Sequence, residues 1–122
     1  MRVLIVDDEI DARENLELMI ADHCPEVEVV GQAGSAQEAR ALIASVQPQG
    51  LFLDIKMPGE DGFSLLRSLS GQELPVVFTT AYDEYALQAF KENALDYLEK
   101  PIDSDDLKRA VGKLIRLAGD PY

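Results

Sequence analysis

Five times along this chain a short, mostly apolar run is followed by a turn and then by apolar residues at helical spacing. The runs cover residues 3–6, 27–30, 51–53, 76–78 and 95–98. A strand with one face in water alternates polar and apolar residues. These runs largely do not, so they predict parallel strands covered on both faces. Between and after them, Leu16, Met19 and Ile20, then Ala39, Leu42, Ile43 and Val46, and finally Leu107, Val111, Leu114 and Ile115 mark buried faces of helices. Helix starts are legible too. Ser35 with Glu38 three residues on has the spacing of a capping box, Asp61 precedes GFSLLRSL, and Asp103 with Asp106 opens the last helix. His23-Cys24-Pro25, Gln47-Pro48, Gly71 and Leu74-Pro75 interrupt the helical pattern where a new strand must begin.

Five strands alternating with five helices predict a doubly wound α/β sandwich with right-handed crossovers, in the flavodoxin-like strand order 2-1-3-4-5. The length of 122 residues leaves room for a single domain over residues 1–122. In such a sheet the ligand site lies at the carboxyl ends of the strands where the winding reverses, between strands 1 and 3. Chemistry is therefore expected just after Val6 and just after Leu53.

Asp7, Asp8 and Glu9 follow the first run, and Asp54 ends the third. Two unit charges about 4 Å apart repel by roughly 1 kcal/mol in water and about 4 kcal/mol at an effective dielectric of 20, so a cluster of three calls for a cation or a proton. A hard divalent metal, Mg²⁺, suits carboxylate oxygens. A single acid after a strand would ordinarily be only a helix cap, but three at one switch point are poorly explained that way. At the same edge Thr79-Thr80 ends the fourth run and Glu99-Lys100-Pro101 follows the fifth. A carboxylate nucleophile beside a cation site, with an ammonium and a hydroxyl to hold phosphoryl oxygens, has the parts for phosphoryl transfer to an aspartate.

These residues resemble the response-regulator receiver domains of two-component signalling. The likeness runs through VLIVDDE, LFLDIKMPGEDG, TTAYDEYA and ALDYLEKPI, in that order and over essentially the whole chain. The resemblance implies that Asp54 is the phosphoacceptor, Asp8 a direct Mg²⁺ ligand, Asp7 a ligand through water, and Lys56 a ligand through its main-chain carbonyl. It also implies that Thr80 is a switch hydroxyl, Lys100 its ion-pair partner, Tyr97 an aromatic that follows Thr80, and Lys100–Pro101 a cis peptide. Its partner would be a cognate sensor histidine kinase, and the chain would be a receiver module rather than an enzyme. YDEYALQAF and NALDYLEKPI look most like receivers joined to LytTR-type DNA-binding domains.

Other readings fit less well. A flavodoxin-like electron carrier needs a Ser/Thr/Gly-rich phosphate loop where this chain has Asp7-Asp8-Glu9. A haloacid dehalogenase-type phosphohydrolase resembles D-x-D after strand 1, whereas here two aspartates are adjacent and the third lies on strand 3. A receiver-like domain that is never phosphorylated would not need every acidic, hydroxyl and lysine position filled.

With 11 basic and 23 acidic residues the net charge is −12, which disfavours direct contact with nucleic acid or an anionic membrane. DNA would be reached only through an attached output domain, so the chain reads as a receiver cut from a longer regulator or as a stand-alone one. No apolar run spans a bilayer and MRVLIVDDE does not read as a signal peptide, so a cytoplasmic location is expected. Met57-Pro58-Gly59 reads as a fixed turn, with Gly59 and Gly62 free to take positive φ. His23, the sole histidine, falls at the end of helix 1 and supports no relay partner or His-rich metal site, and Cys24 reads as a small, partly buried residue. Helix 4 offers Asp83, Glu84 and Glu92, while helix 5 carries Lys108, Arg109, Lys113 and Arg116 away from its apolar stripe. That pattern is expected to pair two copies in a phosphorylation-enhanced homodimer.

Overall fold

The computed structural model describes residues 1–118, apart from the side chain of Asp83. Tyr122 lies outside the described residues. Strands β1 (Arg2–Val6), β2 (Glu28–Ala33), β3 (Gly50–Asp54), β4 (Val76–Thr80) and β5 (Asp96–Glu99) alternate with helices α1 (Ile10–His23), α2 (Ala36–Val46), α3 (Gly62–Ser68), α4 (Ala86–Lys91) and α5 (Ser104–Leu117). The sheet order is β2-β1-β3-β4-β5 and every pairing is parallel. The doubly wound architecture is the one expected from the sequence.

Why the inner runs lack alternation is visible in the side chains. Leu4 and Val6 of β1, Leu51 and Leu53 of β3, and Val76 and Phe78 of β4 join a core with Ala36, Ala39 and Ile43 of α2, Phe63 and Leu65 of α3, and Ala89 of α4. Val3, Ile5, Phe52 and Val77 point to the opposite face and meet Leu16 and Ile20 of α1 and Leu107, Ala110, Val111 and Leu114 of α5. Helices α2, α3 and α4 thus cover one face and α1 and α5 the other, so both sides of the central strands must be apolar.

Caps fall where the polar residues announced them. Ser35 Oγ accepts the Glu38 N–H at 3.1 Å, while Glu38 Oε1 accepts the N–H of Gly34 at 2.6 Å, one residue before the usual return bond. Asp61 accepts from Ser64 N–H, and Asp103 from the N–H groups of Asp105 and Asp106.

Several strand ends move by a residue from expectation, and three differences are larger or bear on the site. Strand β2 runs on through Gly31-Gln32-Ala33, because it keeps pairing with β1 past an irregularity in register between Val3 and Leu4. β5 starts one residue later than the apolar run, at Asp96. The acidic segment before α4 is not part of that helix. Asp83–Tyr85 forms a 3₁₀ turn and Glu92 sits just past the last helical residue.

Candidate functional site at the β1/β3 switch point

The acidic cluster forms at the carboxyl edge of the sheet. Asp54 is the last residue of β3 and is 5% exposed, Asp7 directly follows β1 at 3%, and Asp8 is exposed beside them. One carboxylate oxygen from each lies within 4.8 Å of the others. Asp7 is held from all sides. Its main-chain N–H donates to Ala33 O at 3.0 Å, its carbonyl accepts from Arg13 Nη1 at 2.7 Å, and its Oδ1 accepts the Glu9 N–H at 3.0 Å. Its remaining oxygen, Oδ2, accepts from Lys100 Nζ at 2.6 Å.

Lys100 therefore sits closer to Asp7 than to Asp54, whose Oδ2 is 3.7 Å away. Burial opposes its charge, but the hydrogen bond to Asp7 and the fields of Asp54 and Asp7 prevail and raise its pKa. The Asp54 carboxyl is pushed up to about 7, chiefly by burial and then by the Asp7 charge, against the lowering influence of Lys100. One ammonium does not neutralise three carboxylates. A compact set of hard oxygens with excess negative charge fits a small divalent cation. Lys56 lies two residues past Asp54. Its ammonium is 5.6 Å from the centre of the Tyr82 ring and 6.0 Å from that of Tyr85. A cationic side chain cannot ligate a metal, so only the Lys56 carbonyl is chemically suited to that role.

The raised Asp54 pKa has a consequence for stability. A carboxyl whose pKa is 3.8 unfolded and about 7 folded stabilises the folded state fully below the lower value and loses that contribution as pH rises through the upper one. Without divalent cations the melting temperature should fall between pH 5 and pH 8, by the equivalent of no more than about 4 kcal/mol. Asp54→Asn should flatten that decline. An equally steep decline in Asp54→Asn would assign it to other groups.

Thr80 is fully buried at the end of β4, and its Oγ1 accepts the Tyr82 N–H at 3.2 Å. The Tyr97 hydroxyl donates to the carbonyl of the same Tyr82, so one residue bridges the two expected switch residues. The Lys100 N–H donates to Thr80 O at 2.7 Å, and Lys100–Pro101 is cis. Asp7, Asp8, Asp54, Lys56, Thr80, Tyr97 and Lys100 are all brought to this edge or its immediate flank. Sequence reasoning missed Tyr82, Tyr85 and Arg13. The first two are three apart in a short turn, so they share a side of it, a spacing visible in YDEY.

One expectation needs correction. Gly62 does not take positive φ; it opens α3, and only its missing Cβ matters, since an ideal Cβ would lie 2.4 Å from the Asp54 carbonyl oxygen. Three of the seven charges expected to pair two copies also have partners within one. Glu92 pairs with Arg67 of α3, while Arg109 at 3.0 Å and Lys113 at 3.4 Å both meet Asp96 of β5. These partners draw the Asp96 carboxyl below its ordinary pKa despite its burial. His23 is exposed, and Cys24 is buried with its thiol pKa raised by desolvation.

Among the described residues no helix is long and apolar enough to cross a membrane. The family described as response regulator receiver domain matches residues 3–112. A response regulatory protein of Vibrio cholerae is 46% identical over 95% of this chain and 49% of its own length. The transcriptional regulatory protein BtsR of Escherichia coli is 43% identical over 93% of this chain and 48% of its own. The chain thus spans about half the length of the curated relatives it matches. The crystal structure of the response regulatory domain of protein mrkE from Klebsiella pneumoniae superimposes with a TM-score of 0.86 at 30% identity, covering 98% of this chain and 99% of that one. This chain belongs to the response regulator receiver domain family, the receivers of two-component systems.

Proposed function

We propose that residues 1–122 form a phosphoacceptor receiver in which Asp54 takes a phosphoryl group from a sensor histidine kinase. The observation that carries this reading is the placement of Asp54: buried at the end of β3, flanked by Asp7 and Asp8, with Lys100 Nζ 3.7 Å away. An Asp54 carboxylate oxygen would attack phosphorus, the P–N bond of the phosphohistidine would break, and the imidazole would leave with that electron pair and be protonated. Asp8 and Asp54 would hold Mg²⁺ through their carboxylates, Asp7 through water and Lys56 through its carbonyl. When bound, the ion would supply the positive charge that this cluster lacks and that phosphoryl oxygens need. Lys100 shares that task by approaching the phosphoryl group, and Asp7 holds it in reach.

Phosphorylation adds roughly −1.5 to −2 charge. That charge favours movement of the Thr80 hydroxyl and Lys100 toward Asp54. Because Tyr82 bonds both Thr80 and Tyr97, such a movement would disturb Tyr97 and the face formed by α4, β5 and α5. Leu87 is 65% exposed there and Phe90 79%. With Glu92, Arg109 and Lys113 engaged inside the protomer, an apolar contact through these two residues is the better basis for a phosphorylation-enhanced homodimer. Control of transcription would be exerted through an attached domain of LytTR type, in keeping with a relative that is a transcriptional regulatory protein about twice as long.

Acetyl phosphate with Mg²⁺ should add one phosphoryl group to the protein by intact-mass spectrometry and none to Asp54→Ala. Beryllofluoride, a mimic of the bound phosphoryl group, should shift sedimentation toward dimer in the wild type but not in Phe90→Asp. Phosphorylation of Asp54→Ala would refute the acceptor assignment, and a monomer under all conditions would refute the dimer.

A further inference from the structure

We infer that Arg40 is a positioning residue, holding the segment between Asp54 and α3 in the shape the acceptor site needs and thereby setting its affinity for a divalent cation. The inference rests on the proposed reading of Asp7, Asp8 and Asp54 as a cation and phosphoryl site. Residues 55–61 leave β3 and must turn back into α3 while carrying the Lys56 carbonyl. Their ends are fixed by the Gly62 N–H donating to Ile55 O at 2.8 Å and by the Asp61 cap on Ser64. Met57 anchors the near half in the core. The far half turns through exposed Pro58 and Gly59, the latter at φ +83°.

Glu60 ties that far half to the rest of the molecule. Its Oε1 accepts from Arg40 Nη1 at 2.8 Å and its Oε2 from Arg40 Nη2, with Ser64 Oγ also donating to Oε2 at 2.8 Å. The same guanidinium donates to Ser68 Oγ from Nε at 3.1 Å and Nη2 at 3.0 Å. One side chain of α2 therefore grips the loop and the last turn of α3 together, a fork geometry that lysine cannot reproduce. Beyond the Arg40 contacts a groove of about 390 Å³, lined by Ile43, Pro48, Leu69 and Leu74, runs between α2 and the end of α3. The Arg40 hydrogen bonds hold the Glu60 carboxyl down at about 2, so the pair stays charged at all physiological pH. Ion pairs this open to water contribute little to global stability. Removing one should therefore displace the loop more than it lowers the melting temperature.

The test titrates MgCl₂ calorimetrically into the full 122-residue chain and records melting without metal, for wild type, Arg40→Ala, Arg40→Lys and the swap Arg40→Glu with Glu60→Arg. Arg40→Ala should weaken Mg²⁺ binding about tenfold, the low end of the loss when residues that orient metal ligands from outside the shell are removed, with only a small change in melting. Arg40→Lys should fall between, and the swap should recover most of the affinity. Mg²⁺ affinity within about twofold of wild type in Arg40→Ala would overturn the inference, as would a swap no better than the single variant. So would loss of folding in Arg40→Ala, because the guanidinium would then hold the fold instead of the loop. If the wild type takes up no Mg²⁺, the reading of the site falls and this inference with it.

Discussion

Gly62→Ala is expected to lower stability by up to about 3 kcal/mol, the upper end of the usual cost of overpacking, and to melt roughly 10 °C below wild type. An ideal Cβ at this position would lie 2.4 Å from the Asp54 carbonyl oxygen, 3.0 Å from Ile55 Cα and 3.2 Å from the Asp54 carbonyl carbon. All three are backbone atoms of the acceptor strand and its exit, which cannot rotate aside as a side-chain tip would. Either α3 retreats and loses the Gly62 N–H bond to Ile55 O, or β3 shifts at the residue that carries the nucleophile. Phosphorylation should therefore fall with stability. Gly59→Ala is the informative control. Nothing lies within 4 Å of a Cβ there, and the cost is only that of holding alanine at φ +83°, roughly 1 kcal/mol. Equal melting temperatures for the two variants would show that the close approach at Gly62 is not limiting.

Lys100→Ala without divalent cation should cost about 2–3 kcal/mol near pH 7, because it leaves Asp7 Oδ2 without its charged donor and removes the cation nearest Asp54. Mg²⁺ should then restore more stability to this variant than to wild type, since the ion no longer competes with an ammonium for the same carboxylates. In wild type the gain at a hundredfold excess over the dissociation constant is about 2.7 kcal/mol. Asp8→Asn should act in the other direction, more stable than wild type without metal and less responsive to Mg²⁺. Thermal melts of the three proteins with and without MgCl₂ make the comparison. Identical Mg²⁺ responses in wild type and Asp8→Asn would contradict the metal assignment.

The architecture was legible because the central strands are buried on two faces by different helices, and that burial removes polar residues from 51–53 and 76–78 entirely. The site was legible for the same reason. A strand order that reverses between β1 and β3 gives any residue after Val6 or Leu53 a known address, so Asp7, Asp8 and Asp54 converge whatever their side chains do. Strand β2 outruns its apolar run because it pairs on one side only, where Gly31 and Gln32 are tolerated and hydrophobicity no longer marks the end. Electrostatic partnerships are the least legible in a sequence. Spacing along a helix says which face Arg109 and Lys113 occupy but not that Asp96, on the neighbouring strand, lies close enough to engage both. Arg40 and Glu60 are twenty residues apart and carried no pattern, yet they meet across the α2–α3 groove. The close fit at Gly62 depends on the distance between two backbones, which no single residue records.

Chemical trapping of the phosphorylated residue tests the central claim most directly. An acyl phosphate is reduced by borohydride, which converts the aspartate that carried it to homoserine, and peptide mapping then locates the change. After incubation with acetyl phosphate and Mg²⁺, homoserine is expected at position 54 alone, and at none in protein that received no phosphodonor. Homoserine at Asp7 or Asp8, or a stable phosphate on serine, threonine or His23, would contradict the assignment of Asp54 as the acceptor.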